Sequence, residues 1–376
     1  MTTDPEHGDP RVFNFSSGPA ALPLAVLERA RDELTSLPGC GASVMEISHR
    51  SDAFGQILES ARDRIRRLLA VPSNYTILFL QGGSRLQFSM VPMNLLQEGG
   101  TAAFIVSGHW SKVAMQEAAK LGSVDACWDG EESGFNQLPE TSQLCFDHGL
   151  SYVHMTSNET IQGVQYRQEP DTGDTPLVCD ASSDFLSRPI DVSRYGLIFA
   201  CAQKNAGPAG ATVVIIRTDL LDRSQESLPG YLNYQNHASS DSCYNTPPTF
   251  AIYMLDLVCQ WLEEEMGGLA GMARVNQEKA GMLYDLLDHS EGFYRPHARP
   301  ADRSMMNVTF RLPSEQLEND FVRQAEQQGL TNLAGHRTVG GIRASIYNAV
   351  PSAGVESLRD FMKQFRDSVA EVSEHA

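Results

Sequence analysis

The chain has 376 residues, is 41% apolar and carries a formal net charge of −18 at pH 7. That is length and apolar content for two domains with a large core, and it excludes a disordered chain. The acidity disfavours nonspecific binding to nucleic acid or anionic lipid, and no apolar run approaches the roughly 20 residues of a membrane-spanning helix.

The N-terminal stretch MTTDPEHGDPRVFNF is polar and acidic, with no signal-peptide pattern, and its first dozen residues read as a flexible arm. Residues 22–37 carry apolar side chains at helical spacing (Val26, Leu27, Ala30, Leu34), and residues 54–69 repeat the pattern. A short apolar strand at 76–80 runs into Gly82-Gly83-Ser84-Arg85 and another helical stretch. Further apolar runs follow at 102–106, 152–155, 177–179, 197–201 and 212–216, separated by helix-like or loop segments. This alternation predicts an α/β domain with a largely parallel or mixed sheet. A helix over 250–265 ends at Gly267-Gly268, which places a domain boundary there. The expected organisation is an arm (1–15), a large domain (16–266) and a smaller α+β domain (267–376). The last contains helices over 269–287, 315–328 and 355–372 and strands over 306–311 and 341–345. The seven cysteines are scattered without CxxC spacing, so reduced thiols and a cytoplasmic location are expected.

The chain has only five lysines, at 112, 120, 204, 279 and 363, and four of them lie in polar, helix-like stretches. Lys204 instead follows the apolar run 197–201 and precedes the small residues Asn205-Ala206-Gly207-Pro208. An amine at the mouth of a buried strand suits contact with a planar ligand, and burial with nearby positive charge lowers its pKa and makes it nucleophilic. A surface lysine in a glycine loop has the same sequence. Asp180 ends the strand at 177–179, where α/β sheets place ligand-binding carboxylates, although Asp also caps helices. A lysine on an aldehyde and an aspartate on a ring nitrogen, one strand–loop–strand unit apart, is the arrangement pyridoxal phosphate requires.

Gly82-Gly83-Ser84-Arg85 suits close backbone approach of a phosphate to a helix start, or a plain turn. Trp110 follows a strand and suits either stacking on a planar ring or the core. Two His-Arg pairs, His49-Arg50 and His336-Arg337, and a further arginine, Arg343, suggest a doubly anionic small substrate; each pair taken alone also suits a surface ion pair. Neither metal-ligand spacing nor a GxSxG motif occurs, so no metal and no serine hydrolase are expected.

Seven strings carry a resemblance: FNFSSGPAALP at 13–23, SVMEISHR at 43–50, SNETIQG at 157–163, SRPIDVSRYG at 187–196, AQKNAGPAG at 202–210, YNTPPTF at 244–250 and GHRTVGGIRASIYNA at 335–349. From Phe13 almost to the C-terminus the chain resembles the phosphoserine aminotransferases, pyridoxal-phosphate enzymes of the class V group with the fold-type I architecture of aspartate aminotransferase. The resemblance implies that Lys204 is the Schiff-base lysine, that Asp180 partners the pyridine nitrogen, that Trp110 stacks on the ring and that Thr160 contacts its polar edge. It assigns Ser84, Arg85 and Gln203 to the cofactor phosphate, joined by Asn245 and Thr246 from a neighbouring subunit, and so implies a homodimer with interfacial sites. Arg343 would bind the substrate α-carboxylate. His49, Arg50, His336 and Arg337 would bind the substrate phosphate, partly across the dimer, with Ser17 nearby.

Ser84 stands where many relatives have glycine or alanine, and Ala181 replaces a common phenylalanine; neither removes a required functional group. The implied reaction is exchange of the amino group between L-glutamate and 3-phosphooxypyruvate, giving O-phospho-L-serine and 2-oxoglutarate. In many bacteria it extends to a phosphorylated four-carbon keto acid of pyridoxine synthesis, which the sequence itself does not decide. Rival readings are an alanine–glyoxylate-type aminotransferase or a cysteine desulfurase, for which Cys40 and Cys243 are the loop cysteines, and a regulator that binds the cofactor without turnover, for which the chain lacks a basic DNA-binding module.

Overall fold

The computed structural model of the chain describes residues 11–337 and 339–374, so most of the expected N-terminal arm lies outside the described residues. In chain order the strands are β1 (Phe13–Asn14), β2 (Tyr75–Leu80), β3 (Thr101–Val106), β4 (Ser123–Asp129), β5 (Tyr152–Thr156), β6 (Asn158–Glu159), β7 (Val164–Gln165), β8 (Leu177–Asp180), β9 (Leu197–Cys201), β10 (Thr212–Arg217), β11 (Arg295–Pro296), β12 (Asn307–Arg311), β13 (Leu330–Thr331) and β14 (Ile342–Ser345). Seven of them form one sheet in the order β2-β10-β9-β8-β5-β3-β4.

β10 runs antiparallel to both β2 and β9, and every other pair in this sheet is parallel. Two reversals cancel, so β2 points the same way as β9, β8, β5 and β3. All five carboxyl ends therefore meet at one edge, where open α/β sheets bind ligands. Successive side chains alternate between faces. Ile77 and Phe79 pack into the core beneath helices Asp52–Leu68 and Thr249–Glu264, while Leu78 and Leu80 join the opposite core beneath Gly83–Leu95 and His109–Ala118.

The sequence reading missed β4. It is an edge strand whose Asp125 and Asp129 face solvent, and charge on an edge blunts unwanted pairing while hiding the apolar signal.

The smaller core gathers β12, β14 and helices Glu315–Gln327 and Ser352–Glu374. Two segments tie it to the rest. β1 pairs in parallel with β13, and Phe15 is fully buried in this core, so the chain just before residue 16 packs with the C-terminal part. Helix Gly268–Asp288 places Leu269 and Met272 in the large core and Ala280, Leu283 and Leu287 in the small one.

Lys279 on that helix departs from the polar reading of its segment: it is 0% exposed. Its Nζ donates to the carbonyls of Tyr347 (2.7 Å), Ile346 (3.0 Å) and Val350 (3.0 Å), with that of Asn348 at 3.5 Å. The stem crosses the apolar core and its tip caps the turn that follows β14, a role that periodicity around Lys279 cannot reveal. All seven cysteines are free. Among the described residues no helix is long and apolar enough to cross a membrane.

Candidate active site

The loops at the common strand edge enclose a cavity of about 340 Å³. β2 delivers Gly82, Gly83, Ser84 and Arg85; β3 delivers Trp110; β5 delivers Thr156 and Thr160; β8 ends in Asp180; β9 leads to Gln203 and Lys204. Gly82 has φ +88°, and a Cβ there would meet Leu86 at 2.5 Å, so the turn into helix Gly83–Leu95 needs glycine. That helix starts with no side-chain cap, which leaves its first amides available to an anion. Ser84 Oγ bonds Ser182 Oγ at 2.6 Å.

Lys204 Nζ donates to Thr160 Oγ1 at 2.8 Å and lies 6.0 Å from the Trp110 ring centroid, while the Arg85 guanidinium lies 5.4 Å from the same centroid. Burial pulls the Lys204 pKa down, but Tyr347, Cys201 and Asp180 pull it up and outweigh burial and Arg343. The net shift is upward, the reverse of what its sequence surroundings predict. Local sequence shows the apolar strand beneath the lysine and not the acidic groups that face it. Asp180 is buried, which raises its pKa; Ser182 and Lys204 act against that rise, with the Ser182 amide donating to Asp180 Oδ1 at 2.9 Å.

Arg343 and Ser17 form the far wall. The arginine reaches the cavity from β14 and donates to Ser17 Oγ at 2.8 Å. Tyr347, four residues on, donates its hydroxyl hydrogen to the Ser17 carbonyl at 3.0 Å. His336 also lines the cavity. Arg337 does not; it is exposed along a neighbouring groove with Glu318 and Arg323. His49 is half-buried and Arg50 exposed, and both stand outside this chain's cavity, as do the exposed Asn245 and Thr246. Asn245 Nδ2 donates to Gln81 Oε1 at 3.4 Å, which sets it beside the β2 end.

Sequence reasoning passed over several residues that organise the site. Glu159 is fully buried and accepts from the Trp110 amide (3.0 Å), the Ser111 amide (2.9 Å) and Ser111 Oγ (2.7 Å). Its carboxylate thus caps the helix that carries Trp110, one residue away from Thr160. A Cβ on Gly108 would meet Glu159 Cδ at 2.5 Å, so that glycine makes room for the cap. Asn205, next to Lys204, accepts from the Asn348 amide at 2.9 Å and so ties the lysine loop to the turn after β14. The only sequence signal for Glu159 was its place beside Thr160 in the SNET string.

These residues fit pyridoxal phosphate. The capless helix start and glycine turn suit a phosphate, Asp180 suits a protonated ring nitrogen, and the lysine stands near the tryptophan face. Thr156 Oγ1 and Trp110 Nε1 are buried on the cavity wall without a hydrogen-bond partner among the described residues, as expected where a polar ligand completes the set.

Comparison with known proteins agrees with this chemistry. The profile of class-V aminotransferases matches residues 12–358. A phosphoserine aminotransferase of Rhodopirellula baltica is 52% identical over 94% of this chain and 95% of its own length. Among solved structures, phosphoserine aminotransferase from Bacillus circulans subsp. alkalophilus superposes with a TM-score of 0.94 at 47% identity, covering 95% of this chain and 99% of that one. The pyridoxal-phosphate-bound enzyme from Trichomonas vaginalis gives 0.87 at 40% identity, covering 94% and 100%.

Proposed function

The chain belongs to the class-V aminotransferase family, and we propose that within it the protein is a phosphoserine aminotransferase. It uses pyridoxal phosphate to move an amino group reversibly between L-glutamate and 3-phosphooxypyruvate, giving O-phospho-L-serine and 2-oxoglutarate in serine biosynthesis. The observation that carries this reading is the convergence of Lys204, Asp180 and Trp110 in one cavity whose opposite wall holds Arg343 and His336.

The cofactor, when bound, supplies the aldehyde and the electron-accepting ring. The residues divide the remaining work. Lys204 Nζ would hold the cofactor and, as a free amine, would move the proton from the substrate Cα. Asp180 keeps the ring nitrogen protonated, Trp110 stacks on the ring, and Thr160 steadies its polar edge. Ser84, Arg85 and Gln203 hold the cofactor phosphate. Arg343 takes the α-carboxylate of both amino acids through its planar fork, with Ser17 fixing the guanidinium. His336 receives the substrate's phosphate, while Arg337, outside this chain's cavity, would serve it only across a dimer.

The position of half-buried His49 and exposed Arg50, Asn245 and Thr246 outside their own chain's cavity supports their service in the site of a second copy, in a homodimer. Met45 and Tyr244, 59% and 46% exposed in the same segments, give that interface apolar surface. The free cysteines support a reducing, cytoplasmic setting.

The test is the visible absorbance of the purified, cofactor-loaded protein before and after O-phospho-L-serine, with L-alanine as control. Loss of the yellow band with phosphoserine only is expected. A yellow protein unchanged by phosphoserine would reject the substrate, and one that stays colourless when pyridoxal phosphate is supplied would reject the role of Lys204.

A further inference from the structure

Asn158 opens strand β6 on the cavity wall, two residues before Thr160, which accepts from the Lys204 amine. From Asn158 a run of polar side chains crosses the interior to Arg343 on the opposite wall. Asn158, Ser183, Ser304, Asn307, Ser345 and Tyr347 are each at most 2% exposed. Buried groups of this kind hold one arrangement only when their donors and acceptors are matched.

Two main-chain amides fix the direction of the whole run. Those of Met306 and Asn307 both donate to Ser304 Oγ, each at 2.9 Å. With its lone pairs taken, the Ser304 hydroxyl gives its hydrogen to Asn158 Oδ1 at 2.6 Å. The amide nitrogen of Asn158 therefore faces the other way. It donates to Ser183 Oγ at 2.7 Å and to Asn307 Oδ1 at 2.8 Å. The Asn307 nitrogen is thereby turned to Ser345 Oγ at 3.0 Å and to the Tyr347 hydroxyl oxygen at 3.3 Å. Tyr347 has one hydrogen to give, and it goes to the Ser17 carbonyl at 3.0 Å. Ser17 Oγ in turn accepts from Arg343 at 2.8 Å. The Ser17 segment also lies over the lysine. The Ala20 amide donates to the Gln203 carbonyl at 2.9 Å, and a Cβ on Gly18 would come 3.5 Å from Lys204 Cγ.

We propose that Tyr347, oriented by Asn307, is a positioning residue for the α-carboxylate subsite: its hydroxyl fixes the Ser17 main chain and, through Ser17, the place of the Arg343 guanidinium relative to Lys204. This rests on the function proposed above and adds to it a residue that acts from behind the cavity wall. The α-carboxylate is common to both amino acids of the reaction. Loosening Arg343 therefore weakens both alike, whereas a defect at the phosphate end weakens one.

The test uses the holoenzyme in stopped-flow half-reactions with L-glutamate and with O-phospho-L-serine, which give an apparent Kd and a limiting rate for each. Tyr347→Phe removes one hydroxyl and keeps the ring. Asn307→Asp keeps that hydroxyl but accepts where the amide donates, and so draws the Tyr347 hydrogen away from Ser17. Expected of both variants is a rise of roughly three- to tenfold in Kd, the net contribution of one buried hydrogen bond, equal for the two amino acids. Limiting rates and the cofactor's own dissociation constant should stay within about twofold, as when a contact serves ground and transition states alike. In a Ser17→Ala background, where Arg343 has already lost its acceptor, Tyr347→Phe should weaken binding little further. Unchanged Kd values, a loss confined to one amino acid, full additivity with Ser17→Ala or an equal loss of cofactor affinity would overturn the role of Tyr347. An unaltered protein that reacts with L-glutamate and not with phosphoserine would instead overturn the substrate reading, and the L-glutamate measurements would still decide on Tyr347.

Discussion

Lys279 offers the sharpest test of the energetics. Its ammonium sits in the interior with four backbone carbonyls within 3.5 Å and, among the described residues, no carboxylate paired with it. Burial pushes its pKa from 10.5 down to about 7. Lys279→Met keeps the apolar stem and removes the nitrogen. Two effects oppose each other. Between the two pKa values the unfolded chain holds a proton that the folded chain does not, so stability gained from this group rises with pH at up to about 1.4 kcal/mol per unit. Below the folded pKa the charge is buried at full cost, and the substitution removes that cost.

Against this, methionine leaves carbonyls without their donor. Tyr347 retains a bond from the Val350 amide, but each buried carbonyl left unsatisfied costs roughly 1–3 kcal/mol. The carbonyl loss dominates above neutrality, where the variant should be less stable by about 3–5 kcal/mol, the cost of two or three carbonyls left unsatisfied. The gap should narrow toward pH 6. Denaturant unfolding of both proteins at pH 6.5, 8 and 9.5 measures it. A gap that stays constant across that range would show Lys279 charged throughout, with the carbonyls fully compensating burial, and would refute the argument.

Two further predictions concern the site. Asp180→Asn should still bind the cofactor but slow the L-glutamate half-reaction by on the order of a hundredfold or more, because an amide cannot hold the ring-nitrogen proton; stopped-flow absorbance reads this, and a rate near that of the unaltered protein would remove the role of Asp180. Lys204→Ala and Asn245→Ala proteins, each impaired alone, should recover about a quarter of normal activity when unfolded and refolded together, since mixed dimers regain one intact site; no recovery would place Asn245 in service of its own chain's cavity.

The strand-end geometry was readable in the sequence because buried parallel strands announce themselves as short apolar runs, and the residue after each run falls at the ligand edge. Asp180, Lys204, Trp110 and the Gly82-Gly83 turn were all found that way. Residues 245–246 came from resemblance alone, and the His-Arg pairs and Arg343 stood out only as basic groups suited to an anionic substrate, their separate roles coming from the resemblance. β4 was missed because edge strands are polar, and Glu159 and Lys279 because their partners are backbone groups supplied by distant segments.

The reversed pKa of Lys204 has the same origin and shows what tertiary contact adds to the chemistry. Asp180 is among the groups that favour the ammonium form. When Asp180 is engaged by a protonated ring nitrogen, its charge is offset there, and that support for the Lys204 ammonium is lost. Tyr347 and Cys201 still favour the ammonium form, while burial and Arg343 favour the neutral amine. A substrate carboxylate set against Arg343 would weaken the effect of that arginine. The basicity of Lys204 is therefore set by burial and Arg343 on one side and by Tyr347, Cys201 and Asp180 on the other. Thr160 Oγ1 accepts from Nζ at 2.8 Å and fixes its direction. Asp180→Asn should accordingly slow proton transfer in two ways, by weakening the electron-accepting ring and by altering the charge state of the amine. Its rate–pH profile should shift as well as fall.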